Sequence, residues 1–142
     1  MTSIATPGGS LRAWREYFPN AVIYGADIDL KILFQEERIK TGHIDQLDSE
    51  SIRKYFSTFE KNTFDLMIDD GLYTFEAATS LLENSIDFLS VHGTYVIEDV
   101  QCSNVLNYER YLRSRMYQFR IIALERKDHA LGDNILMVIK KK

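Results

Sequence analysis

The chain has 142 residues and a formal net charge of −4 at pH 7, which predicts a single domain of mildly acidic character. Hydrophobic residues at 45% and charged residues at 27% are typical of globular proteins, so extensive disorder is excluded. The acidic balance argues against nucleic-acid binding through bulk charge, and Cys102, the one cysteine, excludes an intramolecular disulfide. Because residues 1–10 lack a signal-peptide pattern and no apolar run approaches the ~20 residues of a membrane span, we expect a cytoplasmic protein that binds no membrane.

Short apolar runs alternate along the chain with segments of helical periodicity. The runs predict strands at 21–26, 38–44, 64–68, 94–97, 119–124 and 135–139. Several runs are apolar almost throughout, as are strands that are buried on both faces of a sheet. The alternation predicts an α/β fold with a mostly parallel sheet. The connection between the last two runs is polar and lacks a helical pattern, which favours an antiparallel hairpin at one edge.

The helical segments follow residues that are suited to begin a helix. Ser10 is expected to cap the first helix. Asp48 or Ser49 is expected to cap the second helix and Thr74 the third. A fourth helix is predicted over 104–116.

A glycine turn, Pro7-Gly8-Gly9-Ser10, precedes the first predicted helix. In nucleotide-binding α/β domains such a turn follows a buried strand, whereas only six residues stand in front of this one. We therefore expect a single domain over 1–142 that is short at its N-terminal side, with either a stub of the first strand or a truncated chain. The turn is not a Walker A loop, because no Gly-Lys-Ser/Thr follows, and this argues against a phosphoryl-transfer domain.

Carboxylates follow each of the first four predicted strands. They are Asp27, Asp29, Asp45, Asp69, Asp70, Glu98 and Asp99. The carboxyl ends of parallel strands meet at one edge of a sheet, where open α/β folds bind ligands. Each acid alone could serve a turn or a helix cap instead. The whole set is costly through mutual repulsion unless a cation or a hydroxyl-rich ligand lies there.

These acids divide by chemistry. Asp27 ends the strand after the glycine turn, where a carboxylate is suited to accept hydrogen bonds from the ribose hydroxyls of a nucleoside. Asp70, Glu98 and Asp99 follow two strands that are expected to be neighbours. Three such carboxylates suit a hard divalent cation, with Mg²⁺ favoured where several coordination positions are left for water or substrate.

Five stretches of the sequence together resemble a known family. They are 8–21 (GGSLRAWREYFPNA), 23–29 (IYGADID), 64–71 (FDLMIDDG), 93–99 (GTYVIED) and 132–140 (GDNILMVIK). In this order they resemble the class I S-adenosylmethionine-dependent methyltransferases of the macrocin and mycinamicin sugar O-methyltransferase group, which includes cephalosporin hydroxylase-like relatives. The most specific part is the pair Ile-Asp-Asp-Gly and Val-Ile-Glu-Asp.

The resemblance implies a Rossmann-like class I methyltransferase fold with a mostly parallel sheet, helices on both faces and an antiparallel C-terminal hairpin. It implies Mg-assisted methyl transfer from S-adenosylmethionine to a hydroxyl of a sugar or another small molecule. The residues that it places at the cofactor are Gly8, Gly9 and Ser10 near the methionine part, Asp27 at the ribose, Asp45 and Gln46 beside the adenine, and Asp69. The residues that it assigns to Mg²⁺ are Asp70, Glu98 and Asp99.

The chain departs from the family at the expected general base. Members usually carry Asp-Asp-Gly-Ser-His, whereas this chain has Tyr73 in place of the His. Tyrosine has an unperturbed pKa near 10 and is a poor base at neutral pH, although metal coordination of the substrate hydroxyl reduces the need for one. Tyr73, by its position, and His129, in the loop between the last two strands, are the catalytic candidates. His43 and His92 are expected to be ordinary structural residues.

Two interpretations of function stay open at this point. The first is the O-methyltransferase described above. The alternative is a non-catalytic or truncated methyltransferase-fold module that serves as a binding or subunit protein, because fold alone does not imply function. A sheet that lacks its full central strand exposes unpaired backbone and apolar surface, so we also expect a homo-oligomer.

Overall fold

The computed structural model describes residues 7–124 and 134–141. The helices in these ranges are α1 (Gly9–Tyr17), α2 (Ser49–Phe56), α3 (Phe75–Ser85) and α4 (Val105–Ser114). The strands are β1 (Ile23–Asp27), β2 (Gln35–Glu36), β3 (Ile39–His43), β4 (Phe64–Asp69), β5 (Leu89–Val100), β6 (Gln118–Ala123) and β7 (Ile135–Lys140). All six strands expected from the apolar runs are confirmed. The two-residue β2 was not expected, because it contains no apolar run.

The strands form two sheets, in the orders β1-β3-β2 and β4-β5-β7-β6. The strands that end in acids pair in parallel, β1 with β3 and β4 with β5. Strand β7 runs antiparallel to both β5 and β6, which confirms the predicted C-terminal hairpin. Within the described ranges no ladder of backbone hydrogen bonds joins β1 to β4, so the two sheets meet only through side chains and loops.

A hydrophobic core lies between the second sheet and helices α3 and α4. Leu82 and Leu112 of the helices and Met137 and Ile139 of β7 are completely buried. Full burial of a side chain of this size contributes roughly 1.5–3 kcal/mol, so this core is the main source of stability on this side of the molecule.

An aromatic cluster joins the two sheets near the amino ends of β1 and β4. Its members are Tyr24, Tyr55, Phe56, Phe59, Phe64 and Phe88. The rings of Tyr24 on β1 and Phe64 on β4 lie 5.6 Å apart in an edge-to-face arrangement. Such pairs contribute about 0.5–1.5 kcal/mol beyond the area that they bury. The sheets are therefore packed against each other although their strands do not pair.

The helix caps agree with the sequence analysis at α2 and α3. The Asp48 carboxylate accepts a hydrogen bond from Glu50 N–H at 2.9 Å, so Asp48 rather than Ser49 is the cap of α2. Thr74 caps α3, and its Oγ accepts a hydrogen bond from Ala77 N–H at 3.3 Å.

The prediction that Ser10 caps α1 is wrong. The helix begins at Gly9, and its cap is Gly8, whose φ of 79° lies in the left-handed region that favours glycine. Ser10 therefore lies inside the first turn of the helix.

Two sequence-based expectations fall outside the described residues. These are the stub of a first strand within residues 1–6, and His129. Among the residues that the structure describes, no helix is both long enough and apolar enough to cross a membrane.

Candidate functional site

The second sheet carries a β-bulge where its two consecutive acids lie. The register between β5 and β7 shifts between Ile97 and Val100, and the two residues between them are Glu98 and Asp99. Asp99 has a φ of 50°, a left-handed conformation that Asp tolerates better than most residues. In a regular strand consecutive side chains point to opposite faces, whereas a bulge can re-aim one of them. Both acids line one cleft at the end of β5.

The direction of the Glu98 pKa indicates that Asp70 and Asp99 lie near this carboxylate. The pKa of Glu98 is raised above its usual value, first by burial and then by the charges of Asp70 and Asp99. Asp70 follows β4, the parallel neighbour of β5, so the pairing of the strands brings these acids together. Like charges at one place are unfavourable without a positive ligand.

The carboxylates are not arranged tightly around one point. Among the described residues, no group of three or more His, Cys, Asp or Glu side chains could hold a metal ion as they stand. The chemistry of the set nevertheless fits a hard cation, because all its donors are carboxylate oxygens. A cation would also offset the repulsion that raises the pKa of Glu98.

The cleft lies between the ends of β4 and β5 and the start of α4. The residues that line it are Asp69, Gly71, Leu72, Tyr73, Ala78, Ile97, Glu98, Asp99, Val100, Gln101, Asn104 and Tyr108. Sequence reasoning missed Asn104 and Tyr108 as cleft residues. They come from α4 and the turn before it, where the helical pattern contained no signal that distinguished the cleft from the core.

Asp69 is the buried acid of the site, with 5% of its surface exposed. Its Oδ1 accepts hydrogen bonds from Gln46 Nε2 at 2.7 Å and from Gly71 N–H at 3.3 Å. Burial raises the pKa of Asp69, and these two hydrogen bonds partly counteract that rise. Its Oδ2 has no hydrogen-bond partner among the described residues.

Tyr73 is exposed and contacts one of the three carboxylates, Asp70, directly. Its hydroxyl donates a hydrogen bond to Asp70 Oδ1 at 3.3 Å. The pKa of Tyr73 is raised, first by desolvation and then by Asp70, Asp99 and Glu98. This direction argues against a tyrosinate base at neutral pH.

On the first sheet the acids form turns with their own neighbours. Asp27 Oδ1 accepts a hydrogen bond from Asp29 N–H at 2.8 Å, and Asp45 Oδ1 accepts one from Leu47 N–H at 2.9 Å. Asp29 caps a short 3₁₀ turn by accepting from Lys31 N–H. Asp27 is exposed at the carboxyl end of β1, where a ligand can reach it.

The glycine turn lies at the N-terminus of α1, which packs against β1. A Cβ at Gly25 of β1 would lie 2.6 Å from the Leu11 side chain of α1, so Gly25 permits this close approach. Gly9 is open, because a Cβ there would meet nothing within 4 Å. Gly9 and Ser10 are exposed at this helix N-terminus, whereas a Cβ at Gly8 would lie 2.3 Å from the Phe34 ring.

The fold is that of the class I methyltransferases. The chain matches the structure of human methyltransferase-like protein 13 in complex with S-adenosylhomocysteine (SAH) with a TM-score of 0.63, over 96% of this chain and 68% of that one. At 17% identity this likeness shows the fold alone. No protein-family model matches the chain.

Within that class the chain is similar to sugar O-methyltransferases, as expected from its motifs. It is 35% identical over 99 residues to the 8-demethyl-8-alpha-L-rhamnosyl tetracenomycin-C 2'-O-methyltransferase of Streptomyces olivaceus, which covers 70% of this chain and 26% of that protein. It is 37% identical over 93 residues to the mycinamicin VI 2''-O-methyltransferase of Micromonospora griseorubida, covering 66% of this chain and 23% of that one. The chain therefore spans about a quarter of the length of these curated relatives.

A solved structure supports the same similarity. The MycE methyltransferase of the mycinamycin biosynthetic pathway, in complex with Mg and SAH, matches with a TM-score of 0.67 and 25% identity. The match covers 94% of this chain and 41% of MycE.

Proposed function

We propose that the chain carries the cofactor-binding and metal-binding part of an S-adenosylmethionine-dependent O-methyltransferase. The acceptor is a hydroxyl of a sugar or of a sugar-bearing small molecule. The observation that carries the proposal is that Glu98 and Asp99 line one cleft, with Asp70 near enough for its charge to raise the pKa of Glu98. The similarity to enzymes that methylate sugar hydroxyls supports it.

The cofactor is proposed to lie along the carboxyl edge of the first sheet. Asp27 is exposed at the end of β1 and can accept hydrogen bonds from ribose hydroxyls. The turn of Gly8, Gly9 and Ser10 lies at the N-terminus of α1, where a carboxylate such as that of methionine is favourable. Asp45 and Gln46, which follow β3, are proposed to lie beside the adenine of the cofactor.

The proposed metal ligands are Asp70, Glu98 and Asp99, and the cation that suits them is Mg²⁺. When bound, it would lower the pKa of a coordinated hydroxyl and fix its orientation. The carboxylates hold the acceptor side of the site and orient the hydroxyl toward the methyl group. Alignment of this kind supplies much of the rate enhancement in group transfer.

Proton removal has two proposed participants. Tyr73 donates a hydrogen bond to Asp70 and lies at the mouth of the cleft, so it can orient an acceptor hydroxyl even where its raised pKa disfavours a role as base. His129 stays the second candidate, as proposed from its place in the chain.

The alternative function is a non-catalytic binding or subunit module with the same fold. The observation that favours it is the raised pKa of Tyr73, which leaves the described part of the site without a base suited to neutral pH. A homo-oligomer and a cytoplasmic location remain part of the proposal. Support for the oligomer comes from apolar residues at the open sheet edges, such as Leu66 of β4, which is 37% exposed.

Calorimetric titration with SAH, with and without Mg²⁺, tests the proposed function. We expect binding in the micromolar range that tightens when Mg²⁺ is present. Binding of SAH, together with no methyl transfer from S-adenosylmethionine to the sugar hydroxyls tested, would favour a non-catalytic binding module. Absence of SAH binding under both conditions would contradict the proposed transferase and favour the non-catalytic subunit module, which needs no cofactor site.

A further inference from the structure

Gln46 lies where the carboxyl edges of the two sheets meet. It follows β3 in the first sheet, yet its carboxamide contacts the last residue of β4 and the segment that follows β4 in the second sheet. Its Nε2 donates to Asp69 Oδ1 at 2.7 Å, and its Oε1 accepts from Leu72 N–H at 2.6 Å. One side chain therefore connects the two halves of the candidate site by two short hydrogen bonds.

The residues around Gln46 leave little room for another orientation of its carboxamide. A Cβ at Gly71 would overlap Oε1 of Gln46, so the carboxamide lies directly on the backbone of Gly71. Asp69 is buried, and its Oδ2 lacks a hydrogen-bond partner among the described residues. Loss of the Gln46 donor would leave Oδ1 with only the weaker contact from Gly71 N–H at 3.3 Å. A buried carboxylate with so few donors is costly, which strongly favours the observed orientation of Gln46.

We propose that Gln46 is a positioning residue that fixes the segment from Asp70 to Tyr73 and so places the Asp70 carboxylate relative to Glu98 and Asp99. The segment is short, and its centre at Leu72 is held by the Gln46 side chain. Asp70 precedes this held amide by two residues, and Tyr73, which donates to Asp70, follows it directly. Movement of Gln46 would therefore move the carboxylate.

The contact also couples the two ligands of the site. This part of the proposal rests on the proposed function, in which the loop of Asp45 and Gln46 lies beside the adenine and Asp70 binds the cation. A cofactor that orders this loop then orders Asp70 as well. Because thermodynamic coupling is reciprocal, the cation must strengthen cofactor binding by the same factor as the cofactor strengthens cation binding.

The first experiment measures amide hydrogen exchange at Leu72 by NMR in the ligand-free protein. Gln46→Leu removes both hydrogen bonds at nearly constant volume, and we expect Leu72 to exchange about tenfold faster. The double variant Gln46→Glu with Asp69→Asn reverses donor and acceptor between positions 46 and 69 and keeps an acceptor for Leu72 N–H. Gly71 N–H loses its acceptor, and we expect slow exchange at Leu72 to be restored in large part. Gln118→Leu, at an exposed glutamine of β6, is the matched control and should leave Leu72 unchanged. Unchanged exchange in Gln46→Leu would overturn the proposal.

The second experiment titrates Mn²⁺, as a probe for the cation, with and without SAH. In the wild type we expect each ligand to raise the affinity for the other about fivefold or more, and in Gln46→Leu we expect this factor to fall close to one. An equal factor in both proteins would overturn the coupling. A wild type that binds neither ligand would overturn the coupling together with the proposed function. Exchange at Leu72 would then decide separately whether Gln46 holds the segment.

Discussion

The acids at the carboxyl edges of the two sheets differ in what satisfies them. On the first sheet, Asp27 and Asp45 accept hydrogen bonds from backbone N–H groups two residues further along the chain. On the second sheet, Glu98 lies beside Asp70 and Asp99, and its pKa is raised by burial and by their charges. The first arrangement is complete by itself, whereas the second is unfavourable until a positive ligand binds.

This difference teaches that an acid in a turn carries little functional information alone. Asx turns of the type formed by Asp27 are common in proteins that bind nothing at that place. Acids that repel one another are a stronger indication of function, because folding does not require the repulsion. The two sides of the site should therefore respond differently to substitution.

The largest effect is expected for removal of a proposed metal ligand. Asp70→Asn should reduce Mn²⁺ affinity about 100-fold or more, since even residues that only orient metal ligands are worth about 10- to 100-fold. The measurement is a Mn²⁺ titration in the presence of SAH. Asp65→Asn, at an exposed acid of the preceding strand β4, is the control and should bind Mn²⁺ like the wild type. Equal affinity in Asp70→Asn would remove Asp70 from the metal site.

The next effect concerns the backbone under the Gln46 carboxamide. Gly71→Ala places a methyl group on Gln46 Oε1, so we expect a loss of about 1–3 kcal/mol in the free energy of unfolding, measured in urea. Gly9→Ala is the matched control, because a Cβ there meets nothing within 4 Å and Ala favours the first turn of α1. A loss in Gly9→Ala as large as that in Gly71→Ala would argue against a special role of the Gly71 contact.

On the first sheet we expect a smaller effect that is confined to binding. Asp27→Asn keeps the side-chain oxygen that accepts from Asp29 N–H but removes the charge that would face the ribose. SAH affinity should fall about tenfold, as expected for hydrogen bonds to a charged group. Stability in urea should change by no more than about 0.5 kcal/mol. A large loss of stability without a change in SAH affinity would assign Asp27 to the turn alone.

The smallest expected effect is the contribution of Glu98, on the second sheet, to the pH dependence of stability. The pKa of Glu98 is higher in the folded protein than its ordinary value of 4.5, so the folded state retains the proton to higher pH than the unfolded state. Glu98 therefore makes the metal-free protein less stable as pH rises through this interval, and not as pH falls. In Glu98→Gln this contribution should vanish, and thermal unfolding in EDTA across the interval measures it. A steeper loss of stability with rising pH in the variant would contradict the sign.

The sequence predicted the elements well and their contacts less well. The strands are apolar runs bounded by polar residues, and Asp48 and Thr74 have the side chains that helix starts require. The prediction for Ser10 was wrong because the helix begins at Gly9. The residue before it, Gly8, has a positive φ and forms the boundary of the helix. The bulge at Glu98 and Asp99 depends on pairing with β7, which local sequence does not reveal.

The candidate site shows the same limit. The acids could be placed at the edge because each ends a strand, and Gln46 could be placed there because it follows β3. Its contact with Leu72, however, joins residues 26 positions apart. It depends on how the two sheets pack, which share no strand pairing within the described residues. The hydrophobic periodicity of the sequence does not predict such a contact. The assignments of cofactor and metal residues, and of His129, stay predictions.

The division into two sheets has a consequence for folding. The first sheet with α1 and α2 is built from residues 9–56, and the second with α3 and α4 from the described residues between 64 and 140. Within residues 7–124 and 134–141 each half is formed from one stretch of the chain, and the halves share an aromatic cluster but no strand ladder. Hydrogen exchange should resolve two cooperative units that open at different free energies. The half formed by the first sheet would then open while the acid-bearing half stays folded.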